Sequence, residues 1–454
     1  MIQYVLIAAF AALVTFVLCL AVLRAAHKWK LYPEIRTRDV HTRPTPRLGG
    51  IAMFFGVVAA FFVASFNPYY RLIFANPGPV WAILGAALLI VVLGLADDIW
   101  DLDWMIKLAG QFLAAGLIAW LGVQIYSLPI GGLTVGSGWM SAAMTVFAIV
   151  LVMNAVNFID GLDGLVAGVS LIANGVFFLY GYLLVREISP SDYFSLSLLI
   201  SAVVCGICAG FLPLNWHPAK LFMGDAGALL VGLLMATSAI AITGQMDPAF
   251  IEGPDRFGRT QLIGAFIPII LPFAILVVPL LDFGLAVTRR LRAGKSPFSA
   301  DRLHLHHRLL DMGHSQVAAV LIFYAWTIVI SVSSLMFYVF QPYTIGLTFL
   351  IVGVVSCTIV TLAPLGRRKR AQSTAQSVPE ELAEQLDIAA YDPLDEAANS
   401  LAPDAVVPDS VVELAERIDI DALEEQRLRD GDVRDDNTLD GQRALDGQQK
   451  EDTR

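Results

Sequence analysis

Long apolar runs alternate with short polar segments from the start of the chain to about residue 362. A helix that crosses a membrane needs about 20 apolar residues, or somewhat fewer where polar groups face the interior of a bundle. Eleven runs meet this requirement, and together they predict an all-α, polytopic integral membrane protein with about eleven transmembrane helices. The predicted spans are Val5–Leu23, Gly50–Phe66, Val80–Leu95, Ile106–Ile125, Met140–Val156, Leu165–Leu184, Tyr193–Leu212, Ala226–Thr243, Leu262–Val287, Val317–Phe340 and Ile345–Leu362.

The composition supports the membrane assignment. Hydrophobic residues make up 57% of the 454 residues and charged residues only 15%, with a mean hydropathy of +0.67. Soluble domains average about 45–50% apolar and about 25% charged residues. The first run stands where a signal peptide would, but no basic segment precedes it. We therefore expect that run to be retained as a span.

The basic residues predict the orientation of the spans. The segments 24–47, 97–107, 213–224, 288–315 and 364–370 lie on one side of the predicted membrane and carry nineteen Lys and Arg residues. The loops near 67–79, 126–139, 185–192 and 244–261 lie on the other side and carry four. Because short cytoplasmic loops are enriched in Lys and Arg, we expect the N-terminus outside and the C-terminus in the cytoplasm.

The end of the chain differs from the rest. Residues 1–370 carry 23 basic against 17 acidic residues, whereas residues 371–454 carry 7 against 23. The hydrophobic periodicity stops at this boundary, and the last segment contains almost no aromatic residues. Segments of this composition do not bury enough apolar surface to fold. We predict a membrane-embedded domain over residues 1–366 and an acidic, largely disordered cytoplasmic tail over residues 371–454.

Two amides and two carboxylates stand where one apolar run ends and the next begins. They are Asn154, Asn157, Asp160 and Asp163, with glycines after both aspartates and no basic residue among them. One interpretation is a polar turn between helices in which Asp160 or Asp163 is the N-cap. The other is a group of oxygen and amide ligands that binds a cation or a polar molecule.

A second polar segment contains four carboxylates within seven residues, at Asp97, Asp98, Asp101 and Asp103, followed by Lys107. Carboxylates this close repel one another unless cations are present or some of them point to water. Adjacent residues diverge by about 100° on a helix. One member of the Asp97–Asp98 pair can therefore face the bundle while the other faces solvent or a neighbouring backbone.

A carboxylate also begins the run near residue 226. Asp225 stands at or just inside the start of a membrane helix, where an unpaired charge costs a few kcal/mol. The helix dipole offsets part of that cost, and a divalent cation would offset more. Phe222, three residues earlier, offers an aromatic face for a nucleotide base, with ordinary membrane packing as the alternative.

Two basic segments lie on the predicted cytoplasmic side. Arg43 and Arg47 precede the second span, where they bind phosphates or simply anchor the loop. Histidines cluster in the second segment, which contains Arg302, His304, His306 and His307. Phosphate and sugar recognition suits this mixture of Arg and His. A zinc site and a basic anchor are the alternatives.

These segments together provide carboxylates for Mg²⁺, cations for phosphate and a position at the membrane surface. Mg²⁺ is commonly held by one or two carboxylates together with substrate phosphates and water. The combination favours phosphoryl transfer between a soluble nucleotide-linked donor and an acceptor in the membrane.

Four ordered motifs carry a resemblance to a known family. They are Asp97-Asp98, Asn154-x-x-Asn157-x-x-Asp160-Gly-x-Asp163-Gly, Phe222-Met-Gly-Asp225-x-Gly227 and His304-x-His306-His307-Arg308. The chain resembles the polyprenyl-phosphate N-acetylhexosamine-1-phosphate transferases (glycosyltransferase family 4) over residues 1–366. Its histidine motif is similar to that of the branch that uses UDP-N-acetylglucosamine (UDP-GlcNAc). It lacks the His-His-His-x-Glu pattern of the branch that uses UDP-MurNAc-pentapeptide. Arg38–Gly50 and Ala293–His314 resemble the actinobacterial decaprenyl-phosphate branch.

The resemblance implies a reaction and a catalytic centre. A lipid phosphate oxygen would attack the β-phosphorus of UDP-GlcNAc, giving polyprenyl-diphospho-GlcNAc and UMP. Asp97 would deprotonate or orient the lipid phosphate, with Asp98 beside it. Asn157 and Asp225 would bind Mg²⁺, with Mn²⁺ as the alternative ion. A phosphate monoester is largely ionised at pH 7, so positioning and charge neutralisation could replace a general base.

The resemblance also implies the substrate-binding groups and the partners. Lys107 and Arg302 would neutralise phosphate charge, and Phe222 would stack on uracil. The other implied substrate-binding residues are Asp160, Asp163, His304, His306 and His307. The expected partners are UDP-GlcNAc and a polyprenyl phosphate, without nucleic acid, and a homodimer is left open.

Three alternatives remain. A transporter of an anionic or lipid-linked metabolite would also combine basic loops with membrane carboxylates, although it predicts polar residues at both faces. A phosphotransferase of the CDP-alcohol type would need Asp-Gly-x-x-Ala-Arg, whereas Asp163-Gly164 continues Leu165-Val166-Ala167-Gly168. The third alternative is the same chemistry with another UDP-N-acetylhexosamine.

Overall fold

The structure, a computed structural model, describes residues 1–30, 45–125, 137–188, 192–243, 277–292, 305–340 and 343–362. All regular elements within these ranges are helical, which confirms the all-α prediction. The helices are α1 Ile2–Trp29, α2 Gly49–Ser65, α3 Arg71–Ala75, α4 Gly78–Trp100, α5 Trp104–Trp120, α6 Gly138–Phe158, α7 Leu165–Ile188, α8 Asp192–Asn215, α9 Gly224–Thr243, α10 Val277–Arg292, α11 Leu305–Asp311, α12 Gln316–Val339 and α13 Thr344–Leu362, with a 3-10 turn at Pro68–Tyr70.

Eight of the described helices are long and apolar enough to cross a membrane. Helix α2 and the helical segment Pro68–Ala75, which meet at a bend of 93°, give a ninth if the two are counted as one span. The apolar helix α5 is shorter, at 17 residues. Described helices coincide with ten of the predicted spans. In the remaining run, Leu262–Val287, residues 262–276 lie outside the described ranges, so the count of eleven and the orientation stay predictions.

The connection between α4 and α5 is short because both helix ends have defined caps. Asp101 has left-handed backbone angles (φ 51°) and ends α4, with its N–H donating to the carbonyl of Asp97. The Asp103 carboxylate begins α5 by accepting a hydrogen bond from the Met105 N–H at 2.8 Å, which satisfies a free donor at the helix N-terminus. This tight hairpin places the Asp97 end of α4 beside the Lys107 end of α5.

Helix α9 lies at the centre of the described bundle. Of the 18 most apolar consecutive residues of α9, 89% are buried inside the bundle. The corresponding share for α13 is 11%, so α13 lies at the periphery. Helices α2, α4, α6 and α8 all pack against α9. Its enclosure explains why the sequence Gly224–Thr243 is apolar on all sides rather than amphipathic.

Glycines let three helices meet backbone to backbone at the start of α9. A Cβ added to Gly94 of α4 would lie 2.8 Å from the carbonyl carbon of Asp225, and one on Gly50 of α2 would lie 2.8 Å from that of Ala226. A side chain at either position would push the helices apart. The contact brings Asp225 close to the last turn of α4, which carries Asp97 and Asp98.

Residues 371–454 lie outside the described residues. The tail, and the boundary between it and the membrane domain, therefore stay predictions.

Candidate active site at one end of the helix bundle

Four side chains from four helices meet at one end of the bundle. Lys107 Nζ of α5 lies 2.8 Å from Asp97 Oδ2 of α4 and 2.6 Å from Asp225 Oδ2 of α9. The second oxygen of Asp225 accepts a hydrogen bond from Asn157 Nδ2 of α6 at 3.1 Å. We call Asp97, Lys107, Asn157 and Asp225 the Lys107 cluster. Its members come from three separate sequence motifs and from Lys107, so the structure brings together the groups that the sequence singled out.

The two adjacent aspartates of α4 have different surroundings. Both oxygens of Asp97 are engaged, since Oδ1 accepts a hydrogen bond from the Leu102 N–H at 3.0 Å and Oδ2 contacts Lys107. Asp98 lies against the Gly224–Asp225 backbone. Its Oδ2 is buried and has no hydrogen-bond partner among the residues that the structure describes. Asp101 and Asp103 are exposed, so the four carboxylates divide between the bundle and the surface.

The loop after α6 is attached to the loop after α8. Asp163 Oδ2 lies 2.8 Å from His217 Nδ1 and accepts a hydrogen bond from the Ala219 N–H at 3.1 Å. Gly164, which has a φ of +76°, donates its N–H to Asn215 Oδ1 at 3.0 Å. Asp163 is 4% exposed. Through Oδ2, the Asp163 carboxylate therefore joins the loop after α6 to the loop after α8.

Asp160 is half-buried in the same loop and differs from Asp163 in its electrostatics. Burial, followed by the negative charges of Asp225 and Asp163, raises the pKa of the Asp160 carboxyl to about 7. The positive charge of Arg47 opposes this rise. A carboxyl with this pKa changes its charge near neutral pH, where a bound cation would favour the ionised form.

Phe222 lies where the start of α2 meets the segment before α9. Its N–H donates to the Pro46 carbonyl at 2.9 Å, and its carbonyl accepts from the Gly49 N–H at 2.9 Å. The Gly50 N–H donates to the Met223 carbonyl at 3.0 Å. These bonds satisfy donors at the N-terminus of α2. They hold the Arg47 segment beside the Phe222–Asp225 motif, and the Phe222 ring stays partly exposed.

The predicted histidine motif is only partly described. Arg302 and His304 lie outside the described residues, as do the side chains of His306 and His307 within α11. Helix α11 packs against α12. Arg43 also lies outside the described ranges.

Three contributing residues were missed by reasoning from the sequence. His217 contacts Asp163, Tyr324 of α12 donates its hydroxyl to the Gly164 carbonyl at 2.5 Å, and Gln111 of α5 accepts a hydrogen bond from Asn154. His217 lies outside the four ordered motifs, and Gln111 is a single amide in an apolar run. Tyr324 gave no signal, because an aromatic residue is ordinary in a membrane helix.

The donor set suits a hard divalent cation. Among the described residues no three His, Cys, Asp or Glu side chains gather into a complete metal site. Mg²⁺ needs fewer protein ligands than that, because it retains water and binds substrate phosphates. Asp225, the Asn157 amide and the unpartnered oxygen of Asp98 supply oxygen ligands close to one another, so the residues present fit Mg²⁺ better than zinc.

The fold and the site together define a class. The chain is an integral membrane protein of bundled helices, with carboxylates, an amide and an ammonium group gathered at one end of the bundle. The sequence model of "Glycosyl transferase family 4" matches residues 80–243, a range that contains all four members of the Lys107 cluster. The chain belongs to this family.

Three related proteins support this family membership. A decaprenyl-phosphate N-acetylglucosaminephosphotransferase of Mycobacterium leprae is 39% identical over 343 residues, which cover 74% of this chain and 84% of the relative. The protein of the same name from Mycolicibacterium smegmatis is 40% identical over 343 residues, or 74% and 82% of the two chains. A probable undecaprenyl-phosphate N-acetylglucosaminyl 1-phosphate transferase of Bacillus subtilis is 33% identical over 332 residues, or 72% and 82%. These matches confirm the family and the actinobacterial branch.

Proposed function

We propose that the protein transfers N-acetylglucosamine-1-phosphate from UDP-GlcNAc to a polyprenyl phosphate in the membrane. The products are polyprenyl-diphospho-GlcNAc and UMP. The observation that carries the proposal is the contact of Lys107 with both Asp97 and Asp225 at one end of the bundle. A cation between carboxylates at the end of membrane helices suits a reaction between two phosphates, one soluble and one anchored in lipid. The names of the relatives supply the donor sugar and the class of acceptor.

The proposed reaction forms one phosphorus–oxygen bond and breaks another. An oxygen of the lipid phosphate forms a bond to the β-phosphorus of UDP-GlcNAc. The bond between that phosphorus and the bridging oxygen breaks, and UMP leaves with the electron pair. Because a phosphate monoester is largely ionised at neutral pH, the nucleophile needs no further deprotonation. The protein's contribution is to align the two phosphates and to reduce their mutual repulsion.

The geometry supports a narrower role for Asp97 than the sequence suggested. Both oxygens of Asp97 are engaged, one by a backbone N–H and the other by Lys107. We assign Asp97 to holding the Lys107 ammonium in place, where it neutralises phosphate charge. Proton removal by Asp97 would require one of these contacts to break first.

Mg²⁺ would be held by Asp225 and Asn157, with Asp98 adjoining, and the ion would supply positive charge to the donor diphosphate when bound. Lys107 supplies a fixed ammonium group on the same side. Arg47, which acts electrostatically on both Asp98 and Asp160, adds a second cation near the donor phosphates. This set resembles the positioning and charge neutralisation on which phosphoryl transfer generally depends.

The donor contacts follow from the resemblance. Phe222 would stack on uracil, with Asp160 lining the pocket and Asp163 holding its wall through His217. Arg302, His304, His306 and His307 would meet the sugar-phosphate. We further propose that the protein lies in the cytoplasmic membrane with this site on the cytoplasmic face, where UDP-GlcNAc is available.

The test uses purified protein reconstituted in vesicles with radiolabelled UDP-GlcNAc, polyprenyl phosphate and Mg²⁺. The proposal expects label in the lipid extract and an equal amount of UMP in solution, both dependent on the lipid and on Mg²⁺. Label that enters the vesicle lumen as intact UDP-GlcNAc, without UMP, would contradict the transferase and support the transporter. Parallel reactions with UDP-N-acetylgalactosamine determine whether the donor preference is correct.

A further inference from the structure

A second polar contact joins α5 and α6 one helical turn further into the bundle than the Lys107 cluster. Asn154 Nδ2 donates a hydrogen bond to Gln111 Oε1 at 2.5 Å and also contacts the Val150 carbonyl at 2.8 Å. Gln111 is only 2% exposed. An amide buried in an apolar bundle is costly unless it is hydrogen-bonded, so this pair specifies which faces of the two helices meet.

The pair is in register with the site. Gln111 follows Lys107 by four residues on α5, and Asn154 precedes Asn157 by three residues on α6. Residues at these spacings lie on the same face of a helix. The face of α5 that carries Gln111 therefore also carries Lys107, and the face of α6 that carries Asn154 also carries Asn157.

Both of these neighbours donate to one carboxylate. Lys107 contacts Asp225 Oδ2, and Asn157 contacts Asp225 Oδ1. A rotation of either helix about its axis would withdraw one donor from Asp225. A hydrogen bond between two particular side chains is directional, so the bond between Gln111 and Asn154 opposes such a rotation in addition to the packing of the helices.

We propose that Gln111 and Asn154 are positioning residues, which hold Lys107 and Asn157 at the two oxygens of Asp225. Neither residue reaches Asp225 itself in this structure. They act through the helices that carry the donors, and their loss lets Lys107 leave the carboxylates. The part of this inference that concerns turnover rests on the proposed function, and the part that concerns Lys107 does not.

The experiment removes the hydrogen bond from each side in full-length, detergent-purified protein. Gln111→Met keeps the approximate volume of the side chain without the acceptor, Asn154→Ala removes the donor, and the double variant combines them. Ser201→Ala is the matched control, because the hydroxyl groups of Ser201 and Ser238 lie 2.6 Å apart and join α8 to α9 within the buried core. That variant loses a buried interhelical hydrogen bond away from the site.

Two readouts distinguish positioning from general stability. The first is the reactivity of the Lys107 amine toward an acylating reagent, measured by mass spectrometry relative to the exposed Lys220 of the same protein. The second is the Mg²⁺ concentration that gives half-maximal transfer, together with kcat. Loss of an outer-shell partner at a metal site typically costs about 10- to 100-fold in metal affinity or activity, and we expect a loss in this range for either single variant.

We expect Lys107 labelling to rise severalfold in both single variants and to rise no further in the double variant. Ser201→Ala should leave labelling, the Mg²⁺ requirement and kcat unchanged. Wild-type labelling of Lys107 in both Gln111→Met and Asn154→Ala would overturn the inference. If the wild-type protein transfers no sugar phosphate but the labelling still rises in these variants, the proposed function fails and the positioning role stands.

Discussion

Replacement of Lys107 by methionine removes the ammonium group and keeps most of the length of the side chain. In the structure Lys107 Nζ lies 2.8 Å from one carboxylate and 2.6 Å from another. At an effective dielectric constant of about 20, Coulomb's law gives roughly 6 kcal/mol for each contact. Water screens much of this attraction, because the lysine side chain is 25% exposed.

The net effect on folding therefore lies between two limits. An exposed ion pair contributes about 0–1 kcal/mol, and breaking a buried pair costs about 3–5 kcal/mol. For Lys107→Met we expect the free energy of unfolding to fall by about 2–3 kcal/mol, within those limits. The catalytic effect is separate, since loss of one preorganised charge donor typically reduces kcat by about 100- to 1,000-fold.

The assay measures kcat for transfer and the thermal unfolding midpoint on the same preparations. Lys220→Met is the matched control, because Lys220 is exposed in the segment just before α9 and has no assigned role. Lys107→Arg retains the charge with different geometry and should lie between wild type and Lys107→Met. A folded Lys107→Met protein with kcat within about threefold of wild type, well short of the loss expected for a charge donor, would refute the role assigned to this cluster.

Three further predictions test the packing, the loop and the titration. Gly94→Ala should cost at least about 1–3 kcal/mol by overpacking and reduce transfer, because the new methyl group meets the backbone of α9. Gly116→Ala, whose Cβ has open space around it within α5, should leave activity unchanged and raise the free energy of unfolding by about 0.5–1 kcal/mol, and equal effects of the two substitutions would contradict the close approach. Tyr324→Phe should lower the free energy of unfolding by about 1 kcal/mol through loss of the bond to the Gly164 carbonyl, and an unchanged denaturation curve would argue against that bond. The pKa of the Asp160 carboxyl is about 7 in the folded protein and about 3.9 in an unfolded chain, so the native state binds the extra proton. Wild-type protein should therefore lose stability relative to Asp160→Asn as the pH rises from about 4 to about 7 and stay level above that. Melting curves of the two proteins without added metal would contradict this prediction if they stayed parallel over that range.

The helical architecture could be predicted from the sequence because the requirement for a span is simple. About 20 apolar residues are enough to identify one, and the polar residues between runs mark the ends. The motifs at Asp97, Asn157 and Asp225 could be grouped for a similar reason, since each stands at a run end on one predicted face. Their convergence on Lys107 is a three-dimensional result that spacing along the chain does not contain.

Other features needed the structure because they depend on contacts between distant segments. Asp163 was expected to support the substrate pocket, and its contact with His217, 54 residues away, could not be read from its motif. The adjacent aspartates at 97 and 98 could be expected to diverge. Which of them contacts Lys107 and which meets the α9 backbone depends on the approach of helices at Gly94. The partner of Gln111 was equally hidden, because several amides in apolar runs could have filled that role.

We propose that Asp225 belongs to a Mg²⁺-dependent site for sugar-phosphate transfer. The most direct measurement is the release of UMP from UDP-GlcNAc, in the presence of polyprenyl phosphate and varied Mg²⁺, by wild-type protein and by Asp225→Ala. Unfolding curves first establish that the variant is folded. We expect Mg²⁺-dependent UMP release by the wild type and none above background by the variant at any Mg²⁺ concentration. Wild-type rates of Mg²⁺-dependent UMP release by Asp225→Ala would contradict it.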